Sequence, residues 1–258
     1  MTMPLVQVSN LSKTFGDHMV LDDVSLKLEK QEFVSLLGPS GCGKTVLLRI
    51  LSGLISKTGG EVVYNFPSND HILISMAFQK SPLFPWLSLI DNVTICMNKN
   101  GMSKRDKKDI AIEFFKKANL EKFVKYYPDE ISGGMRQKVN IIRCFCSGGE
   151  LILMDEPFVF LDFIQRTELQ QFTLKIWQEQ KKTLLFVTHN LNEAIILSDR
   201  ILLMSASQGK VVKEFNVTIP RPRDVKNARF EPSFINLFKE ITFDLSAEIN
   251  QAKKLYNE

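Results

Sequence analysis

Eight residues constrain this chain more than any others. Gly38-Pro39-Ser40-Gly41-Cys42-Gly43-Lys44-Thr45 follows Phe33-Val34-Ser35-Leu36-Leu37, a short apolar run suited to a buried strand. It precedes Val46-Leu47-Leu48-Arg49-Ile50-Leu51, where apolar residues recur at helical spacing and stop near Gly53, a predicted C-terminal cap. Strand, glycine-rich turn and helix form the setting in which G-x-x-x-x-G-K-[ST], the Walker A pattern, closes around phosphate. The glycines let the backbone curl so that several N–H groups point inward as an anion nest. The helix that follows adds its positive end. Lys44 is placed to reach β- and γ-phosphates, and the Thr45 hydroxyl to ligate Mg²⁺.

Two further apolar runs, Leu151–Asp155 and Thr183–Thr188, have the length of buried strands. Polar, helix-forming segments separate them. Strands alternating with helices predict an α/β fold whose parallel sheet is covered on both faces. Before about residue 30 the pattern differs. Val6-Gln7-Val8 and Val24-Ser25-Leu26-Lys27-Leu28 alternate apolar with polar, as half-buried antiparallel strands do. From roughly 82 to 147 the chain turns helical and more charged. Lys104 to Leu120 is amphipathic, with Ile110, Ile112, Phe114, Phe115 and Leu120 among lysines. After Pro220, Phe234, Leu237, Phe238, Ile241, Leu245 and Ile249 fall three or four apart, predicting a helix with one face on a core.

The later strands end on reactive groups. Leu151-Ile152-Leu153-Met154 runs into Asp155-Glu156, a Walker B pattern. A carboxylate at the carboxyl end of a parallel strand faces the crevice where ligands bind. Asp155 is then placed for Mg²⁺ and Glu156 as general base for an attacking water. Acids also follow buried strands as plain caps; the phosphate loop in the same chain is what strengthens the chemical reading. Thr188-His189 ends the third run and reaches the same edge.

Composition excludes other classes. A chain of 258 residues buries roughly 70–75% of its unfolded surface and needs no disulfide staples. With 44% hydrophobic and 24% charged residues it is neither a disordered nor a collagen-like chain. The net charge of +4 comes without a dense Lys/Arg block, so no nucleic-acid partner is expected. Cys42, Cys96, Cys144 and Cys146 form no C-x-x-C pair and read as reduced packing residues. No secretory leader precedes Asn10 and no apolar run reaches membrane-spanning length, so a soluble chain is expected.

Ile131-Ser132-Gly133-Gly134-Met135-Arg136-Gln137-Lys138 adds the family. Alone, Ser-Gly-Gly also serves as a helix N-cap and turn. Here it follows the phosphate loop and Gln79, and precedes Asp155, Asp162 and His189. In that order it resembles the LSGGQ signature of ABC transporter ATP-binding subunits, and the resemblance runs from Leu5 to about Arg223. It implies a P-loop NTPase cassette with a RecA-like parallel-sheet core, an antiparallel β subdomain and a helical insertion. The whole chain, 1–258, would be one cassette. Its nucleotide-binding core and antiparallel part would be 1–81 and 148–218. The helical subdomain with the signature would be 82–147, and a helical tail 219–258. The implied activity is hydrolysis of ATP with Mg²⁺, coupled to transport. Phe15 would stack on adenine, and Gly38 through Thr45, with Pro39, Ser40, Gly41, Cys42, Gly43 and Lys44, would hold the phosphates. Thr45, Gln79 and Asp155 would serve Mg²⁺; Glu156, His189, Gln79 and Lys44 would serve hydrolysis. Ser132, Gly133, Gly134 and Asp162 would meet nucleotide across a head-to-tail pair of cassettes.

A narrower resemblance lies in Leu83-Phe84-Pro85-Trp86-Leu87-Ser88 with Asp91-Asn92-Val93, in Met135, and in Ile219-Pro220-Arg221-Pro222-Arg223. These look like segments of nitrate, sulfonate and taurine importers. The implied partners are a second cassette, membrane permease subunits and a substrate-binding protein; the implied location is the cytoplasmic face of the cell membrane. Lys80-Ser81-Pro82-Leu83-Phe84 is the candidate docking strip for the permease. Two segments depart from the family: bulky Val159 and Phe160 before Leu161-Asp162, and Ile141 to Glu150, which lacks the usual Ala-rich helix. Val159 and Phe160 keep one alternative open, a regulatory ATP-binding module with weak turnover; a non-transport ABC ATPase is the other.

Overall fold

The computed structural model describes residues 3–66, 74–80, 83–97, 101–205 and 209–256. In chain order the elements are β1 (Val6–Phe15), β2 (His18–Leu28), β3 (Phe33–Leu37), α1 (Lys44–Leu51), β4 (Gly59–Tyr64), β5 (Ile74–Ala77), α2 (Leu89–Thr94) and α3 (Lys104–Lys117). Then come α4 (Gly133–Cys146), β6 (Leu151–Asp155), α5 (Phe163–Gln180), β7 (Thr183–Thr188), α6 (Leu191–Leu197), β8 (Arg200–Met204), β9 (Val211–Asn216) and α7 (Pro232–Tyr256). The chain divides into two compact units, 1–65 with 183–258, and 66–182. The α/β class expected from the alternating runs is the fold observed.

In the first unit β1 lies between β2 and β4, antiparallel to both. Val6 and Val8 are buried while Gln7 and Ser9 are half-buried, the period of two that the sequence shows. A second set of strands is parallel: β3 pairs with β7 and with β8, while β9 runs antiparallel to β8. β3 and β7 are buried at every residue, which is why they read as unbroken apolar runs rather than alternating ones. Ser52 closes α1, and Gly53 follows at φ +75°, the left-handed turn that leaves a helix. The C-terminal stripe is helical, with Phe234 and Ile241 buried.

In the second unit β5 and β6 are parallel, with Ala77 opposite Met154. α3 starts in a capping box: the Ser103 hydroxyl accepts from the Asp106 N–H at 3.1 Å, and the Asp106 carboxylate accepts from the Ser103 N–H at 3.2 Å. The helix ends at Lys117, short of Leu120. Asn119, at φ +57°, turns the chain, and Leu120 folds back, its N–H donating to the Phe115 carbonyl at 2.8 Å. Of the Ile141–Glu150 segment, unlike the family's usual wording, the residues to Cys146 still form the second half of α4, with Ile141, Ile142 and Phe145 buried. Among the described residues no helix is long and apolar enough to cross a membrane, and all four cysteines are free thiols.

Candidate nucleotide site

The first unit gathers three of the predicted stations on two linked features. β3 and β7 end level, Leu37 opposite Thr188, so the phosphate loop and His189 leave the same edge of the sheet. Parallel strands in one register place their carboxyl ends, and whatever follows them, along one crevice. Lys44 is 5% exposed, and its Nζ donates to the carbonyls of Gly38 at 2.8 Å and Pro39 at 2.7 Å. The ammonium therefore sits inside the loop that precedes it. Cys42 is buried beside it, and burial holds its thiol above the ordinary range despite the nearby cation. It is a packing group rather than a nucleophile. α1 begins at once, the Leu47 N–H donating to the Gly43 carbonyl at 2.9 Å.

The start of α1 also abuts β2, the strand that forms a hairpin with β1. Phe15 ends β1 opposite His18 and is half exposed, with Lys13 Nζ 4.7 Å above its ring. An exposed aromatic face of this kind accepts a flat ring or a cation. His189 is exposed between two anchored neighbours. The Thr188 hydroxyl donates to Glu193 Oε2 at 2.7 Å and accepts from the Asn190 N–H at 3.0 Å. Asn190 in turn caps α6 by accepting from the Asn192 N–H at 3.0 Å and the Glu193 N–H at 3.4 Å.

The second unit gathers the remaining stations. With Ala77 opposite Met154, Gln79 and the Asp155-Glu156 pair leave one edge of the β5–β6 pair. Asp155 is buried and Glu156 half-buried. Glu156 sits at φ +44°, a left-handed conformation that costs a non-glycine residue about 1–2 kcal/mol. Ser132 caps α4 by accepting from the Met135 N–H at 3.3 Å, so the helix-cap reading of Ser-Gly-Gly is correct as structure. Arg136 steadies the turn before it, donating to the carbonyls of Pro128 at 3.1 Å and Ile131 at 3.0 Å. Asp162 caps α5, accepting from the Gln165 N–H at 2.9 Å. Beside the signature a cavity of about 190 Å³ is lined by Gln79, Lys80, Gly133, Arg136, Pro157 and Phe160, among others. Phe160 is 71% exposed, with exposed Phe163 and Ile164 next to it in sequence.

Of the predicted docking strip, Ser81 and Pro82 lie outside the described residues. Leu83 is buried, while Phe84 is exposed and Trp86 is 71% exposed. The D-N-V wording has a mechanical meaning here. Asn92, fully buried, accepts from the Phe84 N–H at 2.7 Å and donates to the carbonyls of Phe84 at 3.0 Å, Leu87 at 3.0 Å and Ser88 at 3.1 Å. One amide therefore pins the loop that presents Trp86. Sequence reading passed over Lys13 and Glu193 and named Asn92 without giving it a role. Only Asn92 carried a signal, as part of a familiar triplet.

A strand-loop-helix phosphate cradle on an α/β sheet, with acids ending a second parallel pair, defines a P-loop nucleotide-binding class. The comparisons carry this further. The profile of the ABC transporter family matches residues 21–159. An uncharacterized ABC transporter ATP-binding protein of Methanocaldococcus jannaschii is 38% identical over 247 residues, 91% of each chain. An aliphatic sulfonates import ATP-binding protein of Bacillus cereus is 40% identical, over 90% of this chain and 92% of that one. A taurine import ATP-binding protein of Roseobacter denitrificans is 35% identical, over 96% and 98%. A dimeric post-hydrolysis structure of an ATP-binding cassette bound to ADP and phosphate superposes with TM-score 0.70 at 31% identity, covering 83% of this chain and all of that one. The chain belongs to the ABC transporter family, and it is an ATPase cassette of that family.

Proposed function

We propose that this chain is the ATP-hydrolysing subunit of an importer for a small anion such as a sulfonate, taurine or nitrate. The observation that carries it is likeness along the chain to sulfonate and taurine import proteins, at 35–40% identity and 90–96% coverage. The Leu83–Ser88 loop, pinned by Asn92 and presenting Trp86, supports a docking surface for permease subunits. The chain would then work as one cassette, 1–258, with the core, helical and tail segments expected from its sequence. It would lie peripherally on the cytoplasmic face of the membrane and receive cargo through a separate binding protein.

The residues fit ATP and Mg²⁺. The loop turns on Gly41 and Gly43, both at positive φ, and the buried Lys44 ammonium sits against its Gly38 and Pro39 carbonyls. Thr45, Asp155 and Gln79 would each offer Mg²⁺ an oxygen, the hard donor it favours while it keeps waters and leans on substrate phosphates. When bound, the ion neutralises charge on the phosphate oxygens. Lys44 adds its cation at the β- and γ-phosphates, and the N–H groups from Gly38 to Thr45, all but that of Pro39, which has none, hold the oxygens between them. Phe15 stacks on adenine. Glu156 takes a proton from the attacking water, Gln79 orients that water, and His189 donates to the γ-phosphate. Two copies pair head to tail, so that Ser132, Gly133 and Gly134 close on the partner's γ-phosphate and Asp162 lines the seam. The exposed apolar surface of Phe160, Phe163 and Ile164 supports burial against a second copy. ATP drives closure by binding the closed pair more tightly than the open one.

Glu156→Gln keeps the shape and removes the base. Loss of a general base costs about 10²–10⁴ in rate. The variant is expected to bind ATP normally, hydrolyse it that much more slowly and accumulate as an ATP-bound dimer in size exclusion. Turnover at the wild-type rate removes Glu156 from the mechanism. For the cargo, uptake of taurine, an alkanesulfonate or nitrate by vesicles holding this chain, its permease and the binding protein is the direct test; transport of none of the three rejects the proposed class.

A further inference from the structure

The Arg221-Pro222-Arg223 segment has no part in the nucleotide chemistry above, yet it ends in a buried device. Arg223 is 4% exposed. Its Nη1 donates to the carbonyls of Ile195 at 3.2 Å, Ile196 at 3.0 Å and Ser198 at 2.6 Å, and its Nε to the Ile219 carbonyl at 3.0 Å. Arg221 takes the carbonyl left over, its Nη2 donating to Leu197 at 2.7 Å. The last carbonyls of a helix have no partner within it. Here the run from Ile195 to Ser198 is met by two guanidiniums, which also place positive charge at the negative end of α6.

The clamp is itself tied down. Arg221 Nε donates to Asp199 Oδ1 at 2.8 Å. Asp199 Oδ2 accepts from the Phe33 N–H at 3.0 Å, and the Asp199 N–H donates to the Phe33 carbonyl at 2.7 Å. Phe33 begins β3, and the far end of β3 runs into the phosphate loop. One end of α6 is thus anchored to the start of β3. Its other end carries the Asn190 cap, next to His189.

We infer that Arg223, with Arg221, is a positioning residue that sets where His189 stands by fixing α6 along its own axis. α6 has only seven residues, and helices this short do not hold themselves. Its buried face of Leu191, Ala194, Ile195, Ile196 and Leu197 attaches it to the core. Apolar burial is non-directional and resists sliding weakly. Directional hydrogen bonds at the two ends supply what packing lacks. Burying Arg223 beside half-buried Arg221 is costly: burial, and then neighbouring Arg221, hold the Arg223 guanidinium well below its ordinary range, at about 10. The inference rests on the assignment of His189 to hydrolysis.

The test uses the full chain. Arg223→Lys keeps a cation but has one nitrogen to serve carbonyls spread over four residues. Its kcat for ATP is expected to fall about tenfold, with KM within about twofold of wild type. The same substitution in a His189→Ala background is expected to add no further loss, because both act through one group. With ¹³C-labelled histidine, the His189 ring resonance, assigned by His189→Ala, is expected to shift in Arg223→Lys while that of His18 stays. Wild-type kcat in Arg223→Lys beside a slow His189→Ala overturns the inference alone. A tenfold loss on top of His189→Ala, or an unmoved His189 resonance, also overturns it. Wild-type turnover in His189→Ala overturns the role of His189 and the inference with it. Should Arg223→Lys fail to fold, Arg221→Lys, which loosens only Leu197 and Asp199, is read by the same measurements.

Discussion

Gly43→Ala and Gly41→Ala separate two reasons a phosphate loop needs glycine. Both residues sit at positive φ, +97° and +87°. A side chain there costs about 1–2 kcal/mol in backbone strain. At Gly41 an added Cβ meets nothing within 4 Å, so strain is the whole cost. At Gly43 the Cβ falls 2.6 Å from Leu21 Cδ2 and 3.0 Å from the Val20 carbonyl oxygen. The leucine tip can turn, but the carbonyl belongs to β2 and moves only with the strand. Overpacking of this kind adds about 1–3 kcal/mol. The expected totals are about 1–2 kcal/mol for Gly41→Ala and about 2–5 kcal/mol for Gly43→Ala. Each kcal/mol moves Tm by roughly 2–4 °C in a chain near this size, so Gly43→Ala melts at least roughly 2 °C below Gly41→Ala. Differential scanning calorimetry on both variants reads the gap. Equal melting points, or a lower one for Gly41→Ala, refute the claim that the β1–β2 hairpin presses on the loop.

Trp86→Ala is expected to leave ATP affinity unchanged and to weaken transport, because Trp86 stands exposed against the Phe84 ring, 5.5 Å between centroids; equal uptake by variant and wild-type complexes rejects a docking role. Alkaline pH is expected to destabilise the fold through Cys144. Burial raises its thiol to about 12 from 9.0, so between those values the folded state keeps a proton that the unfolded state releases. Stability from that thiol is whole below about pH 9 and falls by up to about 1.4 kcal/mol per pH unit above it. Urea unfolding of wild type and Cys144→Ala from pH 8 to 10.5 measures this, and identical slopes remove the thiol as the cause.

The most legible parts of the fold were those where one physical demand dominates. Thr183–Thr188 and Leu151–Asp155 appear as strands at the bounds their apolar runs predict, because a strand buried on both faces admits little else. β1 and β2 run well past the alternating stretches that signalled them, since the hairpin continues on pairing and bulges rather than on burial. β8, although a plain apolar run, lay unnoticed beside the stronger motifs. Leu120 looked helical because its side chain is buried, yet it is brought in by a left-handed turn at Asn119.

By itself the sequence determined the class: Gly38 to Thr45, set between an apolar run and a helix, leaves few chemistries besides phosphate binding, because glycine, lysine and threonine at that spacing make a nest, a cation and a metal ligand. Only the tertiary structure decided how those groups are held. That Gly43 answers to Val20, that one buried amide at Asn92 pins the Trp86 loop, and that Arg221 and Arg223 close the end of α6 beyond His189 are facts of contact. They join residues 23, 8 and about 30 positions apart, and contacts made across such distances leave no local period for a sequence to display.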